Sequence, residues 1–220
     1  MKKSKVLLTL LCAVALVATS VFGTLAYLTS TDEVTNTFTV GNVAIKLDEA
    51  KVDANGDAIA GAERVKANKY HLLPGHEYDK DPTVTVLGGS EASYVRMLVT
   101  INEQADLDAI FKKINEDRAE KKLDPIGIVD VLTGWDQAWE LTKETENEDN
   151  TRTYEFRYNE IVAKADADTV LPALFTNIEM PGEITKEQLD TITGLQIDVV
   201  AQAIQADGFE NDVDAAWAAF

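Results

Sequence analysis

The sequence predicts a mainly-β fold, an antiparallel β-sandwich carrying short helical insertions. Three observations lead there. Apolar and polar residues alternate over several short runs, the period of a half-buried strand. Glycine, proline and asparagine punctuate those runs at Gly41-Asn42, Asn55-Gly56, Pro74-Gly75, Gly88-Gly89 and Pro181-Gly182. The strand–helix–strand rhythm of a parallel sheet is missing from the pattern.

The first 26 residues stand apart. Lys2, Lys3 and Lys5 precede an apolar run from Val6 to Phe22, followed by Gly23-Thr24-Leu25-Ala26. A basic start, an apolar middle and a small-residue exit make a secretory signal peptide. Thr24 and Ala26 occupy the −3 and −1 positions, where small side chains are needed, so the expected cut falls before Tyr27. A retained membrane anchor is the competing reading, since about 20 apolar residues span a bilayer. Thr9, Thr19, Ser20, Gly23 and Thr24 dilute the run and favour cleavage. The expected domains are residues 1–26 as signal peptide, 27–42 as an N-terminal arm, and 43–220 as the β-sandwich with a helical insertion near 105–120.

Within the arm, Val34, Phe38 and Val40 share one face of an extended segment, with Thr35, Thr37 and Thr39 on the other. The apolar phase flips after Gly41-Asn42 to Val43, Ile45 and Leu47, which marks a bend or two separate strands. Residues 53–61 read as a polar turn. Thr83 to Leu87 reads as a strand that Gly88-Gly89-Ser90 ends, and Val95, Met97, Val99 and Ile101 as the core face of another. Leu107, Ile110, Phe111 and Ile114 have helical spacing, with Lys112, Lys113, Glu116 and Asp117 outside. Residues 126–132 suit either helix or strand. Residues 139–143 and 151–158 read as a hairpin around an acidic loop at 144–150. Residues 173–180 read as one strand up to Pro181-Gly182. Thr185-Lys186-Glu187-Gln188 is a capping box opening a short helix. Residues 195–205 read as a long strand, and Val213, Ala216, Trp217 and Phe220 share a helical face. The sum is seven to nine strands and two or three helices.

The chain carries 38 acidic and 20 basic residues, a formal net charge of −18; removal of residues 1–26 leaves 17 basic residues and a charge of −21. Such a surface repels nucleic acid and anionic membranes, so no nucleic-acid partner is expected and the membrane is met only by the precursor. The single cysteine, Cys12, falls in the leader, so the processed chain has no disulfide or thiolate chemistry and must be held by its core.

Few residues suggest a reaction. His71 and His76 are the only histidines and the only candidates for a metal site, with Glu77 and Asp79 near. They flank a Leu-Leu-Pro-Gly turn and lack the His-Glu-x-x-His arrangement of a zinc hydrolase, so a turn beside a strand explains them better. Asp53-Ala54-Asn55-Gly56-Asp57 begins like a calcium loop, but Ala58 stands where the loop needs glycine and Arg64 where it needs the bidentate glutamate. No nucleophile elbow, phosphate loop or dinucleotide fingerprint is present, and no cofactor is expected. Trp135, Trp139, Tyr154, Phe156 and Tyr158 suit a sugar-binding face or, better, core and cross-strand packing.

Several segments together resemble a known family. They are Gly23-Thr24-Leu25-Ala26-Tyr27-Leu28-Thr29, then Asn36-Thr37-Phe38-Thr39-Val40-Gly41-Asn42-Val43, the Leu73-Pro74-Gly75 turn, Lys80-Asp81-Pro82-Thr83-Val84-Thr85-Val86, Ala92-Ser93-Tyr94-Val95-Arg96, and Ala203-Ile204-Gln205-Ala206-Asp207-Gly208-Phe209. The chain resembles the TasA/camelysin (CalY) family of Gram-positive bacteria over nearly its whole length. The resemblance implies a jelly-roll-like β-sandwich, processing by a SipW-type signal peptidase, secretion to the extracellular matrix or cell surface, and self-association into biofilm matrix fibres in which the N-terminal strand of one subunit completes the sheet of the next. A structural protein is thus expected rather than an enzyme. The alternatives are a camelysin-type secreted metallopeptidase and a monomeric cell-surface binding module.

Physics gives the fibre reading its own content. An arm freed at Tyr27 presents Val34, Phe38 and Val40 to an open sheet edge on another chain, which is β-augmentation. Repeated head to tail, that contact builds an open filament. The competing reading pairs residues 34–40 within their own sheet.

Overall fold

A computed structural model describes residues 41–209 and 212–220. The expected signal peptide (residues 1–26), residues 27–40 of the expected arm, and the residues singled out in them (Thr24, Ala26, Tyr27, Val34, Phe38 and Val40) lie outside the described residues.

The period-2 segments form antiparallel strands. In chain order these are β1 (Ile45–Asp48), β2 (Glu77–Asp79), β3 (Thr83–Val86), β4 (Ser93–Ile101), β5 (Leu132–Thr133), β6 (Trp139–Glu146), β7 (Arg152–Tyr158), β8 (Thr169–Val170), β9 (Asn177–Glu179) and β10 (Ile197–Gln205). The helices are α1 (Gln104–Glu120), α2 (Lys186–Leu189) and α3 (Val213–Ala219). The strands make three sheets, ordered β1-β3-β8, β10-β4-β7-β6 and β2-β9-β5. Every pairing is antiparallel. The fold is mainly β, a sandwich with helical insertions, as the alternation predicts.

One apolar cluster is shared by all three sheets. β4 is its centre: Val95, Met97, Val99 and Ile101 are buried, and Phe156 of β7, Val84 and Val86 of β3, Tyr78 of β2 and Ile178 of β9 close around them. Helix α1 covers part of this core with Leu107, Ile110, Phe111 and Ile114, the residues its spacing marks. Its first turn leaves amide groups without intrahelical partners, and the β6–β7 loop supplies them. The Asn150 side-chain oxygen accepts from the amide of Ala105 at 2.9 Å, and its carbonyl accepts from that of Gln104 at 3.2 Å.

Four details differ from the sequence pattern. The 126–132 stretch is a 3-10 turn (Ile128–Val131) leading into β5. The hairpin loop is shorter than its acidity suggests, because Glu146 and Glu144 lie in the β6 ladder, opposite Arg152 and Tyr154, with their carboxylates 2.8 and 3.4 Å from the Arg152 guanidinium. Of residues 173–180, only Asn177–Glu179 is strand. Pro172 has no amide to give to a ladder, and the next residues bond three separate partners: Leu174 donates to Pro82, Thr176 to Thr133, and Asp136 donates to Leu174. Leu174 and Phe175 are nonetheless fully buried. The two-residue strands β5 and β8 bring the described total to ten, beyond the expected seven to nine.

The C-terminal helix packs on the outer face of the four-stranded sheet. Asp212 caps it, accepting from the Ala215 amide at 2.9 Å. Trp217 lies over the Arg96 guanidinium, 4.2 Å from it, and Asp214 bonds Arg157 at 2.6 Å. Phe220 falls past the helix end and stays exposed. Among the described residues, no helix is long and apolar enough to cross a membrane.

Candidate functional site

The aromatic residues are packing groups. Trp135 stacks on Phe156 with ring centres 4.8 Å apart and meets Phe175 edge-on at 5.2 Å. Trp139 packs on Tyr158, and its ring N–H donates to the Pro172 carbonyl at 3.0 Å. They do not form an exposed sugar-binding face.

Of the two histidines, His76 has its ring engaged in local structure. His76 Nε2 donates to the Asn55 carbonyl at 2.8 Å, and its ring stands edge-on to Tyr78. His71 is exposed, and its carbonyl accepts from the Tyr78 hydroxyl at 2.7 Å. No group of three His, Cys, Asp or Glu side chains suited to a metal ion occurs among the described residues. Residues 53–57 form an Asn-Gly turn: the Asp53 carboxylate accepts from the amides of Asn55 and Asp57. Gly56 has φ +91°, and a Cβ there would meet the Tyr78 ring at 2.3 Å, so only glycine fits.

The sheet edges are more informative. The four-stranded sheet has two edges, β6 and β10, and they differ in chemistry. The β6 edge carries Glu140, Lys143, Glu144 and Glu146 and a register shift between Leu141 and Lys143. Charge and a bulge are the devices by which a sheet edge resists pairing. The β10 edge reads Ile-Asp-Val-Val-Ala-Gln-Ala-Ile-Gln, with Asp198 its one charged residue. All nine residues pair with β4, and among the described residues no other strand pairs with β10. Ile197, Val199, Ala201 and Ala203 are partly buried against the core, while Val200, on the outer face, is 51% exposed.

Beside β10 lies β1, the outermost strand of the β1-β3-β8 sheet. Between them opens a cleft of about 790 Å³. Leu47 from β1, Ile197 and Val199 from β10, and Tyr70, Leu72 and Ile192 give it apolar walls. It thus runs where one sheet ends and the other begins, along the side of β10 that pairs with no strand among the described residues.

Charged residues line the same cleft at the end of β1. Glu49 and Lys80 form a buried ion pair at 2.5 Å, their side chains 7% and 8% exposed. Asn68 donates to the other Glu49 oxygen at 2.9 Å. Next to them, Arg64 bonds Asp48 at 2.5 Å, Asp81 at 2.7 Å and the Thr83 hydroxyl at 2.9 Å. Burial pushes the Asp48 carboxyl up, but hydrogen bonds and charge from Lys46 and Arg64 outweigh it and hold the group below the usual carboxylate range. Burial and the neighbouring Glu49 charge push the Tyr70 hydroxyl well up.

The sequence pattern missed this cluster. Asp48-Glu49 follows a strand and Lys80-Asp81 precedes one, positions where charges ordinarily face water. Only the register that sets Asp48 opposite Thr83 brings the two pairs together. No family model, curated protein or solved structure matches the chain.

Proposed function

We propose that this chain is a secreted structural protein of an extracellular matrix, assembling into fibres by N-terminal strand donation. It carries the TasA/camelysin-like role that its sequence resemblance implies. The membrane is met only by the precursor, and a SipW-type signal peptidase frees the arm by cutting after Ala26. The observation that carries the proposal is the β10 edge: nine residues, one charge, a partly apolar cleft alongside, on a sheet whose other edge is defended. An incoming strand with Val34, Phe38 and Val40 on one face matches that edge in period and polarity. Burying those three side chains contributes roughly 1.5–3 kcal/mol each before ordering costs. An arm still fixed in a membrane cannot reach a neighbour, so cleavage doubles as the trigger.

The test compares residues 27–220 with a chain starting at Val43, by light scattering and negative-stain electron microscopy. Filaments from the first and folded monomers from the second are expected. Folded monomers from both, across concentration and pH, would overturn the proposal in favour of a monomeric binding module.

A further inference from the structure

The geometry around Glu49 points to a covalent bond. We propose that Lys80 and Asn68 condense to an intramolecular amide, with Glu49 as the proton carrier.

Three features support it. First, one carboxylate holds both partners: Glu49 Oε2 is 2.5 Å from Lys80 Nζ, and Oε1 is 2.9 Å from Asn68 Nδ2. The nucleophile and the leaving group therefore share a single general acid–base, the arrangement such an exchange requires. Second, the Asn68 carbonyl is polarised. Its Oδ1 accepts from the Val52 amide at 3.0 Å, a donor placed where negative charge gathers during attack on Cγ. Third, the groups are held in place, two of them buried and Asn68 half-buried. The Lys80 and Glu49 side chains are buried, the Lys80 amide donates to the Thr176 carbonyl at 2.9 Å, and Asn68 Nδ2 also donates to the Ala50 carbonyl at 2.7 Å. Pre-positioning of this kind replaces a bimolecular encounter.

The step balances without an oxidant or cofactor. Lys80 passes one proton to Glu49 along their hydrogen bond and becomes a neutral amine. The Nζ lone pair forms a bond to Asn68 Cγ while the carbonyl π pair moves onto Oδ1. Glu49 gives its proton to Nδ2 and takes one from Nζ. The pair on Oδ1 re-forms the carbonyl, the Cγ–Nδ2 bond breaks and ammonia leaves. Of the five protons initially on the two nitrogens, one stays on the new amide, three leave in ammonia and one remains on Glu49. A buried ion pair, costly to desolvate, becomes two neutral groups. The bond would tie the 66–72 segment beside the cleft to the entry of β3, independently of whether the chain assembles.

The experiment is intact-mass spectrometry of the denatured full chain after prolonged incubation of the folded protein. The expected result is a mass about 17 Da below that of the sequence, the loss of one ammonia. Trypsin should then fail to cut after Lys80 and should yield a branched peptide joining residues 67–69 to 70–96. Asn68→Ala and Glu49→Gln should restore the full mass. A succinimide at Asn55-Gly56 would lose the same mass but leave Lys80 cleavable, so it counts against the proposal. An unmodified wild-type mass, or a deficit that persists in Asn68→Ala, also overturns it and leaves Glu49–Lys80 an ion pair only.

Discussion

At the scale of single residues, charge inside this fold is tolerated where it is fully matched. Glu155 is buried on the outer face of the four-stranded sheet, yet its carboxylate meets Arg96 at 3.3 Å and Arg157 at 2.7 Å. Arg96 also donates to Gln202 at 2.7 Å and lies under Trp217. Asp48 is the clearest case for a pH effect. Its folded carboxyl titrates below the ordinary value of 3.8 because Lys46 and Arg64 outweigh its burial. A depressed acid contributes stability that is complete above the unfolded value and is lost as pH falls through the folded one. The urea midpoint should therefore fall as pH drops below about 4, and Asp48→Asn should flatten that slope. At neutral pH the same variant should lose roughly 1–3 kcal/mol, since it leaves buried charged hydrogen bonds unmade. An unchanged slope in Asp48→Asn would show that other carboxylates dominate acid unfolding.

At the scale of elements, the two edges of one sheet behave as opposites. Val200→Lys gives β10 the kind of charge that already guards β6. Because Val200 is on the outer face and half exposed, the variant should keep the wild-type unfolding free energy within about 0.5 kcal/mol. It should nonetheless slow fibre growth severalfold, read by light scattering; growth at the wild-type rate would remove β10 as the acceptor. How legible each element was depends on what holds it. β4 was readable because Val95, Met97, Val99 and Ile101 face the core and their neighbours do not, so burial wrote a period-2 pattern. The Thr185–Gln188 box was readable because its bonds are local: Thr185 Oγ1 accepts from the Gln188 amide at 3.3 Å, and Gln188 Oε1 from the Thr185 amide at 2.8 Å. Residues 173–176 misled because burial alone does not make a strand. Their amides are satisfied one by one by distant partners, and no sequence period records that.

At the scale of the whole molecule, the pattern predicted the mainly-β class and the central strands, but not the cleft. The cleft depends on β1 and β10 coming together from opposite ends of the chain, and on charges 48–49 meeting 80–81 across a register. Pairings of that range leave no local signature. The open β10 edge was half legible: its low charge stands in the sequence, while its lack of a second neighbour among the described residues is topological. A net charge of −21 after removal of residues 1–26 opposes self-association at long range, so the proposed assembly would have to draw its attraction from short-range strand pairing.

Because only one of the two long edges is open, a filament built on it would have two unlike ends. One end would carry an undocked arm and the other an empty β10. A subunit without its arm can fill the first role of acceptor but offers nothing to the next comer. Added in small proportion to intact chains, it should act as a terminator, blocking growth at the arm-bearing end and leaving the other end able to extend. Filament length measured by electron microscopy should then shorten with dose while roughly the same number of filaments persists. A symmetric edge arrangement would produce no such one-sided arrest.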